Sequence, residues 1–317
     1  MKEFKTHNQQ LNILRSRGLN VPKDGKPKRF LEQHNYYNVI NGYKHHFLVK
    51  GADNKPIKPE QYIKNSHFDE LKHLYLLDKD LKSCLLKYLI IFENSIKTLL
   101  AHEFPKMYQT KNAYLDFNNY ISGQPNDVLG QISKFTSIIR DKVGKDESIK
   151  HYINQHEEVP LWVLINHLTI GNISYFYSVL VDELKNRIAK VYSERFEKDY
   201  KVPLTIHASD LKSILKAVNL IRNSCAHDER SYNRELKHIK TANIADQLRI
   251  PREFYRNDRV VVVIIFLKAV LRKSDFKHFL KELEAITNKY QNSFHTISFN
   301  EIYHEIGILD KQLLDIL

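Results

Sequence analysis

Residues 68–104 read FDELKHLYLLDKDLKSCLLKYLIIFENSIKTLLAHEF, and the spacing of their apolar side chains decides the fold. Leu71, Leu74 and Tyr75, then Leu81, Leu85, Leu89, Phe92, Ile96, Leu99 and Leu100, recur at three and four residues. That period gives an α-helix one wet and one dry face. The stretch predicts at least one long amphipathic helix, its length suggests two, and Pro105 marks the end. Helical spacing continues at 127–143 and 161–190. Ser209 and Asp210 offer N-caps to a helix with Leu211, Ile214, Leu215, Val218 and Ile221 on one face. Three more helical segments are expected at about 258–272, 275–290 and 299–316. The run from Val260 to Leu267 is apolar throughout and mostly β-branched, so helix and buried strand both remain open there. Upstream, Thr6 caps a helix that Gly18 closes. The prediction is a mainly α fold.

Composition agrees and excludes several classes. The chain has 317 residues, 42% hydrophobic and 27% charged, enough to bury a core and too apolar for global disorder. Only 9 glycines argue against a glycine-rich nucleotide-binding loop or a many-stranded β fold. Two cysteines, Cys84 and Cys225, cannot build a disulfide framework, which makes a reducing cytoplasm the expected setting. The longest apolar run is eight residues, far short of the roughly 20 needed to span a bilayer, and no signal peptide is visible. No membrane association is expected.

Charge points to an anionic partner. Lys and Arg number 49 against 37 Asp and Glu, a net +12. Residues 1–60 hold 12 of the cations and 5 of the acids, so more than half of the excess lies in the first fifth of the chain. The Gly51–Pro59 loop, with two prolines, reads as a boundary. The expected organisation is a small basic helical subdomain, 1–58, and a helical domain, 59–317.

Ile221-Arg222-Asn223-Ser224-Cys225-Ala226-His227 stands out for chemistry. Arginine, four to six residues, then histidine is the form of the HEPN ribonuclease motif. Spacing alone selects nothing, because Arg29 to His34 and Arg272 to His278 also fit. Context separates them: Arg222 ends a strongly amphipathic helix, and small residues fill the gap. A histidine titrates near neutral pH and serves as acid or base for a ribose 2′-OH or a 5′-oxygen leaving group. A guanidinium holds the charge that gathers on phosphate in the transition state. Asn223 can orient either group. Five residues on a regular helix set Arg222 and His227 about 140° apart. The helix must therefore end or distort within the motif, or a symmetric dimer must complete the site. The bland alternative is a helix-terminal Arg and a capping His.

With these residues the chain resembles the abortive-infection (Abi) proteins of the AbiD/AbiF type, within the HEPN superfamily. Thr6, Gln9-Gln10, Leu14, Arg17-Gly18, Phe30-Leu31, Asn35-Tyr36-Tyr37 and Gly42-Tyr43 are similar to that family's opening. Pro160-Leu161-Trp162-Val163, with Leu168, Gly171, Ser174 and Tyr177, resembles its central block. Arg222-Asn223-Ser224-Cys225-Ala226-His227, with Arg230, Asn233 and Arg234, resembles its signature. Asp228 stands where such members often carry His, and an acid there is expected to raise the pKa of His227. The resemblance implies an HEPN-like helical bundle, a homodimer, and metal-independent cleavage of RNA to 2′,3′-cyclic phosphate and 5′-OH ends. It further implies a toxin in anti-phage defence, restrained by a small structured RNA or by an acidic antitoxin protein. The alternative is a non-catalytic RNA-binding module on the same scaffold.

Other candidates follow from composition. Glu93 and Lys97, at i, i+4, are either a surface pair or polar residues of the cleft. Lys28, Arg29, Tyr36, Tyr37, Tyr43 and Lys44 mix cations with stacking rings, which suits an RNA backbone with splayed bases; the alternative is that the aromatics form the subdomain core and the lysines are solvated. Arg230 and Arg234 follow the motif and can grip phosphates. His45-His46 and His151 with His156 lack zinc-site spacing, so no metal and no cofactor is expected.

Overall fold

A computed structural model describes residues 3–227, 229–256, 258–307 and 317. The helices in chain order are α1 His7–Ser16, α2 Lys26–Gln33, α3 Phe68–Met107, α4 Pro125–Lys142, α5 Glu147–His156, α6 Leu161–Leu164 and α7 Ile170–Val179. They continue with α8 Asp182–Tyr200, α9 Ala208–Ala226, α10 Ala242–Gln247, α11 Arg252–Tyr255, α12 Val261–Val270, α13 Lys273–Tyr290 and α14 Phe299–Ile306. Among the described residues extended pairing is limited to isolated bridges such as Leu48 with Tyr62. The fold is a mainly α bundle. No helix of the described residues is long and apolar enough to cross a membrane.

Packing divides the chain into two units. Of the described residues, one takes those up to Leu86, Ser224–Arg234 and His278–Gly307; the other takes Lys87–Asn223, Glu235–Lys277 and Leu317. This division falls inside α3, not at the Gly51–Pro59 loop where the sequence places a boundary. The reason is that the first turns of α3 share a core with the N-terminal helices.

In the first unit, α1 begins with a reciprocal capping box between Thr6 and Gln9, and Gly18 follows its end at φ 90°. Leu11, Leu14 and Leu31 are buried, as are Leu71, Leu74, Leu77 and Leu81 of α3. Glu70 in the first turn of α3 accepts from the N–H groups of His295 and Thr296 and from the Thr296 hydroxyl. It thereby ties the stretch between α13 and α14 to this unit.

In the second unit, the later turns of α3 bury Leu89, Phe92, Ile96 and Leu100. Phe104, Tyr120, Phe135 and Phe176 pack edge to face or tilted, with ring centroids 5.1–6.3 Å apart. The Val260–Leu267 run is resolved as helix: α12 is buried from Val261 to Leu267 and packs against α8, α10 and α11. Being buried all round, it needs no polar face, and packing overrides its β-branched composition.

Two local expectations are corrected. The 68–104 stretch lies in one helix of 40 residues, which runs two residues past Pro105, so the proline does not mark its end. In α9, Asp210 is not the N-cap. Its carboxylate accepts from the His207 N–H at 2.8 Å, from the position of a capping-box acid, and Ser209 lies inside the helix.

Candidate functional site

Helix α9 runs unbroken to Ala226, so Arg222 and Asn223 lie near its end and His227 is the first residue beyond it. Ile214, Leu215, Val218 and Ile221 face the core and fix the helix rotation. In the second unit this sets the Arg222 side chain against α3. Its Nε lies 3.7 Å from Glu93 Oε2, and the other Glu93 oxygen takes Lys97 Nζ at 2.8 Å. Glu93 is only 6% exposed. One buried carboxylate thus lies between two cations, which keeps it from being an uncompensated buried charge. Arg222 Nε and Glu93 Oε2 are both buried and reach no hydrogen-bond partner, while the Arg222 side chain as a whole is 31% exposed. Its solvent-facing atoms are therefore other than Nε. Asn223 Nδ2 donates to Asn219 Oδ1 at 3.1 Å. A Cβ at Gly171 would come within 3.2 Å of that same Asn219 oxygen, so a glycine is what lets α7 approach.

In the first unit His227 is exposed and lines a cavity of about 240 Å³ with Cys225, Ala226, Lys79, Lys82 and Ser83. Lys79, Lys82 and Ser83 stand at i, i+3 and i+4, one face of α3. That spacing is the signal in the sequence that points to this lysine face. Burial pushes the Cys225 thiol up to about 12, so it is no nucleophile at neutral pH. The gap residue Ser224 is buried and shares a 2.6 Å hydrogen bond with Ser231. Asp228 lies outside the described residues.

The chain after the motif is held by Asp78. This buried carboxylate accepts from Tyr43 Oη at 2.6 Å, Ser231 N at 3.0 Å and Tyr232 N at 2.7 Å. Burial raises its pKa against the pull of those hydrogen bonds and of Lys82. Lys82 Nζ donates to the Glu229 carbonyl at 3.2 Å. A second network surrounds Glu305. Its Oε2 lies 3.4 Å from His45 Nε2, 3.2 Å from His46 Nε2 and 2.8 Å from Asn233 Nδ2. Burial alone would raise the Glu305 carboxyl, but the hydrogen bonds from His45 and His46 outweigh it and hold it far below the usual carboxylate range. Burial lowers the His45 pKa.

The donor atoms of His45, His46 and Glu305 lie within 4.8 Å of one another, a spacing a divalent ion could bridge. Spacing along the chain could not reveal this, because Glu305 is remote in sequence. The hydrogen bonding speaks against it. Arg230 Nη1 lies 3.3 Å from His45 Nδ1 and can only donate, which leaves the ring proton on Nε2, the atom that would face the ion.

The basic and aromatic candidates separate by exposure. Lys28, Arg29 and Tyr37 are exposed and Tyr36 is half-buried. Tyr43 is corrected to a core residue: it is 2% exposed, its hydroxyl is committed to Asp78, and its ring stacks on Tyr232, so no base can reach it. Lys44 is ion-paired with Glu60 at 2.8 Å and its side chain is 18% exposed. Arg230 donates to the Gly42 carbonyl at 2.8 Å, and Arg234 pairs with Glu229 at 2.9 Å.

Compared with known families, residues 29–233 match the model described as Abi-like protein. No curated protein and no solved structure matches the chain.

Proposed function

The chain belongs to the Abi-like protein family, which ties it to abortive infection and antiviral defence, and on that premise we propose that it is a metal-independent endoribonuclease toxin of the HEPN type. Arg222 holds the scissile phosphate and His227 acts as general acid or base. The 2′-oxygen attacks phosphorus as its proton leaves, the bond to the 5′-oxygen breaks, and that oxygen takes a proton. The products carry a 2′,3′-cyclic phosphate and a 5′-OH. Asn223 orients the phosphate or the histidine.

The observation that carries this reading is the setting of Arg222. Its Nε lies 3.7 Å from a buried carboxylate, an ion pair without a hydrogen bond, and the side chain, 31% exposed, reaches solvent through its other atoms. Support also comes from the cavity at His227, where Lys79 and Lys82 add positive potential for phosphate. Two copies related by a two-fold axis would bring paired Arg222 and His227 into one cleft. The exposed cations Lys28 and Arg29 suit a structured RNA that restrains the toxin.

Purified protein incubated with RNA in EDTA tests the reading. Cleavage and growth arrest should both vanish in His227→Ala while its circular dichroism spectrum stays unchanged. Full cleavage by that variant would sink the assignment. A salt-sensitive mobility shift without cleavage by the wild type would instead favour a binding module.

A further inference from the structure

Trp162 is the chain's single tryptophan, and it is 52% exposed. An indole ordinarily buries most of its large apolar area, so an exposed one invites a reason. It stands in α6, just after Pro160, and lines two neighbouring cavities. One, of about 440 Å³, is walled by Asn94, Lys97, Thr98 and Ala101 of α3, and by Asn166. The α3 residues occupy positions i, i+3, i+4 and i+7, one face of that helix. The other cavity, of about 330 Å³, takes in Pro105 and Tyr108, so the indole is approachable from two sides.

The first groove is contiguous with the Arg222 arrangement. Its Lys97 is the residue that pairs with Glu93, and Glu93 is the residue beside Arg222 Nε. No carboxylate lines the groove; Lys97 and His102 do, Lys97 paired with Glu93 at 2.8 Å and His102 Nδ1 lying 2.9 Å from Glu103 Oε1. Ala101 keeps the wall low where a flat ring would enter. Asn94 carries an amide that can bond a base edge; the Thr98 hydroxyl donates to the Asn94 carbonyl and Asn166 Nδ2 to the Trp162 carbonyl, which leaves their oxygens as acceptors. An apolar peptide would need an apolar wall; a flat ring with a polar rim on an anionic strand fits this one.

The geometry points to Trp162 as the stacking platform for an unpaired nucleobase of the RNA strand that Arg222 engages. The inference rests on the nuclease reading and adds how that site holds its substrate: single-stranded RNA, with one base on the indole. Duplex RNA, whose bases are already stacked, is a poor ligand.

The single tryptophan makes the test direct. The probe is a single-stranded 2′-O-methyl oligoribonucleotide, which lacks the attacking hydroxyl and survives the wild-type enzyme. Titrated into full-length protein, it should quench Trp162 fluorescence saturably, and the matching duplex should quench it far less. Trp162→Ala should weaken binding roughly 10-fold or more, and Trp162→Phe should restore most of it. On cleavable RNA, Trp162→Ala should raise KM more than it lowers kcat. Oligonucleotide binding that leaves the fluorescence unchanged overturns the proposal, whether or not the variants fold. So does a folded Trp162→Ala protein that binds as the wild type does. If either occurs while His227-dependent cleavage persists, only the platform is lost; if the wild type neither binds nor cuts RNA, the nuclease reading fails with it.

Discussion

Replacing Asp78 with alanine should destabilise the first unit by an amount the hydrogen bonds set. The carboxylate accepts from Tyr43 Oη, Ser231 N and Tyr232 N at 2.6–3.0 Å, inside the protein. Hydrogen bonds to a charged group contribute about 1.5–3 kcal/mol each, so three give a gross loss of about 5–9 kcal/mol. Removing the buried carboxylate also relieves its own desolvation, and water entering the space re-satisfies part of what is lost. The expected net cost is about 3–5 kcal/mol, in line with breaking a buried charged network. With a urea slope of about 2–3 kcal/mol/M, the midpoint should fall by about 1–2 M. Tyr43→Phe removes one donor and leaves the two backbone bonds, so it should cost about 1–2 kcal/mol. Because the bonds hold Ser231 and Tyr232, close after His227, Asp78→Ala should also reduce RNA cleavage. Urea unfolding followed by circular dichroism reads the first effect. A cost below about 1 kcal/mol for Asp78→Ala, or equal costs for the two variants, would refute this account of how the post-motif segment is held.

Three further outcomes follow from the site and its surroundings. Glu93→Gln removes the carboxylate between Arg222 and Lys97; cleavage should fall about 10-fold or more with a stability loss of about 1–2 kcal/mol, read by kinetics and urea unfolding. Cys225, its thiol pushed up to about 12, should resist iodoacetamide at neutral pH, and Cys225→Ala should cleave RNA within about 2-fold of wild type. Acid should weaken the first unit. Glu305 and Glu70 are held below their ordinary value of 4.5, so their contribution is complete above that pH and is lost as pH falls toward the folded values. His45 is held below its ordinary 6.5, so the unfolded chain takes up that proton first and stability falls in the same direction. Asp78, raised by burial, acts in the opposite sense. Urea midpoints should drop from about pH 7 downward, through His45 first and through Glu305 and Glu70 below about pH 4.5, and Glu305→Gln should flatten the slope below about pH 4.5.

What was legible in the sequence was what repeats along the chain. The apolar spacing of α3 announces a helix because one face of it is wet. The Val260–Leu267 run resisted assignment for the converse reason: α12 is buried on all sides, so no period remains to read. Glu93 and Lys97 were visible as a helical pair, but their burial beside Arg222 is set by how α9 packs on α3. Tyr43 looked like a stacking ring among lysines. Its partners, Asp78 and Tyr232, are remote in sequence, and only the fold brings them to it. Trp162 sits within the apolar string PLWVLI, where nothing local separates an exposed indole from a core one.

The chemistry of the cut ends tests the central claim most directly. RNA digested by the wild-type protein in EDTA should yield fragments ending in a 2′,3′-cyclic phosphate and beginning with a 5′-OH, and neither Arg222→Ala nor His227→Ala should produce them. Fragments with 3′-OH and 5′-phosphate ends, or cleavage that requires a divalent ion, would contradict it.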